Sequence, residues 1–362
     1  MADKSDGRAS QRDKKKFSRR NIRLRNLELD DIDMLDEEDI AEDRRAEKKL
    51  ADKGRTSDKS DLKLHRGRIL EVYANHICLV HVDGEALEAT LGGRLRNLKL
   101  DTRTLAAAGD WVQVDLADKP RIEEIEERRN SLVRFSEHSF QTRAILAANI
   151  DQVLITVAWR QPPFNGGLVD RYICAAGIEN IEPVLCVNKI DLAENIEEVR
   201  NACRWYEQAG LQVIYVSAES GMNIELLPEL LRDRETVFSG VSGVGKTSLI
   251  NLVQPGWRGR VSEVSESTSK GRHTTTRSRL IPWKFGGYLV DTPGIKTFGL
   301  HRRHFELLPK VFPGFAELGH GCRFRDCTHT HEIDCAIRDA LQTGSLPQER
   351  YTSYLRLRES LA

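Results

Sequence analysis

Between Leu64 and about Asn130 apolar residues recur in short β-like runs: Arg68–Tyr73, Ile77–Val82, Leu87–Leu91, Trp111–Leu116 and Pro120–Glu126. Turn signals at Asp83-Gly84, Gly92-Gly93, Gly109-Asp110 and Asp118 separate them. Runs of this length and composition bounded by turn residues read as strands. Five of them in so short a stretch predict a small closed barrel, and the OB-fold is the reading taken here. Residues Arg128 to Gln141 then lead toward a second set of apolar runs: Gln152–Ala158, Val184–Val187, Leu211–Val216, Thr236–Phe238, Ser278–Trp283 and Tyr288–Asp291. These predict the strands of an α/β domain, with a helix at Leu249–Leu252.

Several of these strands end in residues that carry chemistry. Thr236–Phe238 feeds Gly240-Val241-Ser242-Gly243-Val244-Gly245-Lys246-Thr247-Ser248, a complete G-x-x-x-x-G-K-[ST] phosphate loop. Its glycines let backbone N–H groups turn toward phosphate oxygens at the start of a helix. Lys246 supplies a point charge to the β- and γ-phosphates, and the Thr247 hydroxyl is a magnesium ligand. Val184–Val187 feeds Asn188-Lys189-Ile190-Asp191. There the Asp191 carboxylate can accept from guanine N1–H and the 2-amino group, a donor pair that adenine lacks. Asn188 is expected to brace the loop, and the stem of Lys189 to lie over the base. Leu211–Val216 ends in Ser217-Ala218-Glu219, whose Ala218 amide is a candidate donor to guanine O6.

The order of these motifs is inverted. Lys246 follows Asp191 by 55 residues, whereas guanine-nucleotide proteins usually carry the phosphate loop first. Both motifs must share one pocket, so the domain is circularly permuted, which is tolerable because domain termini commonly lie near each other at the surface. Tyr288-Leu289-Val290-Asp291-Thr292-Pro293-Gly294 adds an acidic turn after a strand. Asp291 is expected to reach magnesium through water, and the Gly294 amide to sense the γ-phosphate. The same four residues also make a good β-turn. Between lies Gly259–Arg279, poor in apolar residues and containing Arg272-His273-Thr274-Thr275-Thr276. Thr275 is the expected switch-loop ligand of magnesium, with Thr274 and Thr276 close behind. Ras-type enzymes follow the DxxG glycine with a glutamine that orients water. Here that position is Ile295, so slow unassisted hydrolysis is expected. His273 either takes over water positioning or is a solvated loop histidine.

Toward the C-terminus, Cys322, Cys327, His329 and Cys335 fall within fourteen residues. Three thiols and one imidazole make a closed structural zinc site, which would fold a segment too poor in apolar residues for a core of its own. His331 and His320 are rival nitrogen ligands.

Taken together, NKID, SAES, GVSGVGKTS, GRHTTT, DTPG and Cys-x4-Cys-x-His-x5-Cys resemble the RsgA (YjeQ) family of small-ribosomal-subunit biogenesis GTPases. The resemblance covers roughly residues 65 to 360, including Phe312-Pro313-Gly314-Phe315. It implies a multidomain α/β protein: an N-terminal OB-fold β-barrel, a circularly permuted P-loop GTPase domain, and a zinc-binding, mainly helical C-terminal domain. It implies action late in small-subunit assembly, with hydrolysis of GTP to GDP stimulated by the subunit, and it matches His273 to the family's suspected catalytic histidine. The expected bounds are 1–62 for a charged tail, 63–132, 140–300 and 301–362.

Composition adds limits. The 362 residues carry 55 basic and 55 acidic side chains, so RNA contact must rest on local patches. Charge is segregated: Lys4–Arg25 has ten bases against two acids, and Glu28–Asp43 has ten acids and no base. Such blocks predict a disordered tail. Its basic stretch Lys14–Arg25 either contacts rRNA phosphates or folds back on the acidic block. Ala41–Lys53 is a transient helix at most. Arg94, Arg96, Lys99 and Arg103 give the barrel one candidate basic loop. No apolar run reaches membrane-spanning length and the N-terminus is unlike a signal peptide. Seven cysteines, three of them clustered for metal, suit a reducing cytoplasm and not a disulfide framework, and a monomer is expected. Permutation also routes the chain from Gly294 straight into the zinc segment, so a γ-phosphate-dependent shift there could reorient that segment. Two other function classes fit the motifs: a GTP switch acting on a protein or tRNA, and a binding protein whose nucleotide is idle.

Overall fold

The computed structural model describes residues 63–73, 76–96, 105–117, 119–136, 139–256, 278–291 and 300–362. Residues 1–62, residues 97–104 with Lys99 and Arg103, and His273, Thr274, Thr275, Thr276, Gly294 and Ile295 lie outside them.

The first five strands are β1 (Leu64–Val72), β2 (Ile77–Val82), β3 (Glu85–Leu91), β4 (Trp111–Asp115) and β5 (Arg121–Ile125), with a short helix α1 (Gly93–Arg96) after β3. They pair in the order β1-β2-β3-β5-β4, and β4 closes back on β1 through Leu64↔Asp115 to Arg68↔Trp111. Only β3–β5 is parallel. This is the expected OB barrel. Alternate residues of β2 and β4 point inward and join Ile69, Leu91 and Ile122 in one core. Closure brings β1 close to both neighbours: a Cβ on Gly67 would lie 2.7 Å from Val80 Cγ1.

A hairpin follows, β6 (Ser131–Ser136) and β7 (Ser139–Ala148), where the sequence suggested only a connection. Its Leu132 and Ala147 are buried in the core of the next unit.

That unit contains β8 (Gln152–Ala158), α2 (Gly166–Ile178), β9 (Glu182–Asn188), α3 (Ile196–Gln208), β10 (Gln212–Tyr215), α4 (Leu226–Leu231), β11 (Arg234–Ser239), α5 (Lys246–Val253), β12 (Arg279–Pro282) and β13 (Gly287–Asp291). The strands lie in the order β10-β9-β8-β11-β13-β12, parallel except for β12 against β13. Every residue of β8 is buried, as parallel strands covered on both faces require. The two covering layers form separate cores, one around Tyr172, Val187 and Tyr206, the other around Leu154, Phe238 and Leu249. Parallel strands deliver their C-terminal ends to one edge, and that edge is where open α/β sheets bind ligands. The inverted motifs therefore end up together: Asn188, Tyr215, Ser239 and Asp291 close β9, β10, β11 and β13 there.

The barrel joins this sheet edge to edge. β1 pairs β12 at Glu71↔Arg279, and Arg279 Nε donates to Glu71 at 2.6 Å. Arg68, buried, meets Glu235 at 2.9 Å.

The C-terminal helices are α6 (Leu308–Val311), α7 (Phe315–Gly319), α8 (Ala336–Gln342) and α9 (Gln348–Glu359). They have no separate core. Phe312, Phe315, Tyr354, Cys327 and Cys335 belong to the same buried cluster as Val169, Tyr172 and Val187. Polar contacts lock the seam. Fully buried Asp170 on α2 pairs with Arg350 and accepts from Ser353 Oγ on α9, and Trp205 Nε1 donates to the Pro313 carbonyl at 3.2 Å. Burial pushes the Asp170 carboxyl up, and the Arg350 guanidinium opposes this. The cysteine-bearing C-terminal segment is thus held by packing as well as by its covalent link, and any reorientation must break this seam. Among the described residues no helix is long and apolar enough to cross a membrane.

Candidate functional site

The phosphate loop leaves β11 and turns into α5 through three glycines with left-handed φ, Gly240 (141°), Gly243 (83°) and Gly245 (98°). Two of them are needed for space as well as conformation. A Cβ on Gly240 would sit 2.1 Å from the Thr156 carbonyl oxygen, and one on Gly245 would sit 2.2 Å from Asn188 Nδ2. Val244 is buried, whereas Ser242, Gly243 and Ser248 are exposed. Val241 and Thr247, the latter in the first turn of α5, are half-buried. Lys246 Nζ folds onto the loop itself, donating to the Gly240 carbonyl at 2.7 Å and that of Val241 at 2.9 Å.

Asn188 connects the inverted pieces. Its Nδ2 donates to the Val244 carbonyl at 2.8 Å, and its Oδ1 accepts from the Ala218 amide at 3.0 Å. One buried side chain thus spans the base-reading strand, the phosphate loop and the Ser217-Ala218 turn. The Ala218 amide, expected to face guanine O6, is here taken up by Asn188. Lys189 stands in the left-handed region at φ 60°. Asp191 lies on the exposed 3-10 turn Ile190–Leu192. Its carboxylate accepts from the Ser217 hydroxyl, which itself accepts from the Ser220 amide at 3.1 Å. That chain aims the carboxylate.

One part of the site went unseen in the sequence. The loop after β8, Trp159–Asn165, runs beside both motifs. The Trp159 amide donates to the Asn188 carbonyl, Gln161 offers its carbonyl to Lys189 Nζ, and Pro162 lies over Gly243. The Pro162-Pro163 pair just after a buried strand is the signal that points to a shaped loop there.

Asp291 closes β13 opposite Arg279 on β12. Burial raises its carboxyl pKa and Arg279 opposes the rise. Thr275 and Gly294, expected beside magnesium and the γ-phosphate, and His273 fall outside the described residues.

In the C-terminal segment the ligand atoms of Cys322, Cys327, His329 and Cys335 all lie within 4.8 Å of one another. His329 Nδ1 is 3.6 Å from Cys322 Sγ and 3.5 Å from Cys335 Sγ, and those two sulfurs are 4.0 Å apart. A tetrahedron with the usual zinc bond lengths has edges of about 3.6–3.8 Å, so the cage fits that ion. The nitrogen is His329 Nδ1, not His331, whose Nδ1 faces Thr330, nor His320, which is exposed. Burial pushes the Cys327 thiol up to about 12, a cost that a bound divalent cation removes by holding thiolate. Tyr351 and Tyr354 hydroxyls tie the ligand loop to α9 through the His329 and Thr328 carbonyls.

A family model described as RsgA GTPase matches residues 125–301. Relatives called small ribosomal subunit biogenesis GTPase RsgA include one from Chlorobaculum tepidum. It is 42% identical over 269 residues, 71% of this chain and 86% of the relative. Another, from Caldanaerobacter subterraneus subsp. tengcongensis, is 40% identical over 251 residues, 69% of this chain and 81% of its own. The crystal structure of YjeQ from Thermotoga maritima superposes with a TM-score of 0.65 at 29% identity, covering 83% of this chain and 99% of that one. The structure of YloQ, described as a circularly permuted GTPase, gives 0.64 at 25% identity, with 84% and 98% covered.

Proposed function

The chain belongs to the RsgA family of circularly permuted, GTP-hydrolysing enzymes, and from that premise we propose that it binds the small ribosomal subunit late in assembly and hydrolyses GTP there under the subunit's control. The observation that carries the nucleotide assignment is the Asn188 bridge between Val244 and Ala218. It supports reading Asn188–Asp191 as a guanine reader and 240–248 as a phosphate loop that share one pocket despite their inverted order.

In this reading Asp191, Asn188, Lys189, Ser217 and Ala218 hold the base. The Ala218 amide is shared between Asn188 and guanine O6 once the nucleotide enters. Backbone amides of 240–248 cradle the phosphates, and Lys246 leaves its carbonyl partners for the β- and γ-oxygens. Thr247 and Thr275 would hold Mg²⁺, with Asp291 behind a water; the ion supplies charge neutralisation between the β- and γ-phosphates. Gly294 reports the γ-phosphate. With Ile295 in place of glutamine, His273 positions the attacking water once docking orders its loop. The Cys322, Cys327, His329 and Cys335 cage takes one structural zinc, with no open position for catalysis. The bounds 1–62, 63–132, 140–300 and 301–362 describe tail, barrel, GTPase and zinc domains. The protein works as a cytoplasmic monomer, and Arg94, Arg96, Lys99 and Arg103 give the barrel an rRNA contact.

Co-sedimentation with purified small subunits tests this. The GTP-loaded form, held by a non-hydrolysable analogue, should pellet with subunits and the GDP form should not. Equal recovery in both forms, or none in either, would remove the subunit from the reading.

A further inference from the structure

A cleft of about 420 Å³ opens between the start of α2 and α9, and its lining includes none of the base-motif, phosphate-loop or metal-cage residues. Three guanidiniums line it, Arg171, Arg350 and Arg356, against a single acid, Glu349. Arg350 is committed to the seam, facing Asp170 and donating to the Tyr206 hydroxyl. The other two are not neutralised. Arg171 donates to the Ser360 hydroxyl at 2.7 Å, and among the described residues neither Arg171 nor Arg356 meets a carboxylate. Ser353, Ser360 and Asn165 add short polar walls, and Leu357 is the lone apolar one.

Such a lining repels metal cations, and although carbon makes up the larger part of its surface, the groups on it that form directed bonds are mainly guanidiniums and hydroxyls. It suits an anion whose oxygens are spread enough to meet planar guanidinium forks, which is the geometry of phosphate. We infer that this cleft is an RNA-backbone site: Arg171 from the GTPase domain and Arg356 from the C-terminal domain together clasp phosphodiester groups of one RNA strand. The inference rests on the small-subunit reading for its choice of partner. Because the two arginines lie on opposite sides of the seam, the bound strand spans both domains. With no aromatic wall for base stacking, the contact is independent of sequence.

The test uses the full chain and a labelled single-stranded oligoribonucleotide of mixed sequence, titrated by anisotropy at 50–200 mM KCl. The double variant Arg171→Glu/Arg356→Glu and the milder Arg356→Ala are compared with wild type, with thermal melts and GTP affinity as folding controls. Each lost phosphate contact should lower the slope of log affinity against log salt by about 0.7. The double variant should therefore lose about 1.4 in slope and at least tenfold in affinity at the lowest salt. Unchanged slope and affinity in the double variant overturn the inference. Unchanged oligonucleotide binding with weakened subunit binding also overturns it, since the cleft then meets a ribosomal protein. If wild type fails to pellet with subunits yet the variants lose RNA affinity as stated, the small-subunit reading fails and the cleft assignment stands.

Discussion

Replacing Asn188 by alanine removes the bridge on which the permuted site depends. Two hydrogen bonds go, at 2.8 and 3.0 Å, from a side chain that is 1% exposed. The change leaves the Val244 carbonyl and the Ala218 amide without partners, and each buried orphan costs about 1–3 kcal/mol. Ala218 is only half-buried and water can reach it in part, so a total of about 2–4 kcal/mol is the working figure. The loss falls on the relative placement of phosphate loop and base reader, because both strands remain anchored in the sheet. At about 1.4 kcal/mol per decade, guanine-nucleotide affinity should fall roughly 30- to 1000-fold. Equilibrium titration with a fluorescent GDP analogue at fixed Mg²⁺ reads this directly, with a thermal melt alongside to separate it from unfolding. Asn188→Asp keeps the acceptor for Ala218 but sets a carboxylate against the Val244 carbonyl, so it should lose affinity as well. A folded Asn188→Ala protein that binds GDP within about threefold of wild type would refute the argument, since two orphaned groups would then have cost nothing.

Asp191→Asn exchanges a double acceptor for a group that also donates, so xanthine nucleotides should gain on guanine nucleotides; an unchanged GTP-to-XTP preference in competition binding would remove Asp191 from the base site. Freshly prepared, unchelated protein should contain about one zinc by elemental analysis, and Cys327→Ser should loosen the C-terminal segment to protease while leaving GTP affinity in place. Metal-free protein of full stability would dismiss the cage. The third concerns pH: burial, then the neighbouring Asp151 carboxyl, push Glu235 up to about 7 against the pull of Arg68. A raised carboxyl favours the protonated fold, so its contribution is complete below the ordinary value of 4.5 and lost as pH climbs through about 7. The loss is at most about 3 kcal/mol, and Glu235→Gln should flatten the fall in urea-unfolding stability between pH 5 and 8; a variant profile parallel to wild type would contradict this.

What could be read from the chain was whatever local pattern encodes. Alternation exposed β2 and β4, apolar runs before Asn188 and Gly240 exposed strand ends, and cysteine spacing exposed the metal cage. The β6–β7 hairpin escaped because Arg134, Gln141 and Arg143 interrupt the apolar residues of its strands, which pair chiefly with each other. The choice of His329 over His331 needed coordinates, since two adjacent histidines at similar spacing differ only in which ring the turn points inward. The shared core of α2 with α7 and α9 depends on Asp170 meeting Arg350, 180 residues apart, a contact no local pattern encodes. The same is true of the loop Trp159–Asn165 against the phosphate loop.

The central claim is that this enzyme turns over GTP productively only when docked on the small subunit, with His273 placing the water. Multiple-turnover phosphate release, measured with and without purified subunits, tests it most directly. Wild type alone should be slow, and subunits should accelerate it. His273→Ala should lose most of that acceleration, at least about tenfold, while keeping GTP affinity and GTP-dependent subunit binding. Equal stimulation of wild type and His273→Ala, or no stimulation of wild type at all, would contradict the account.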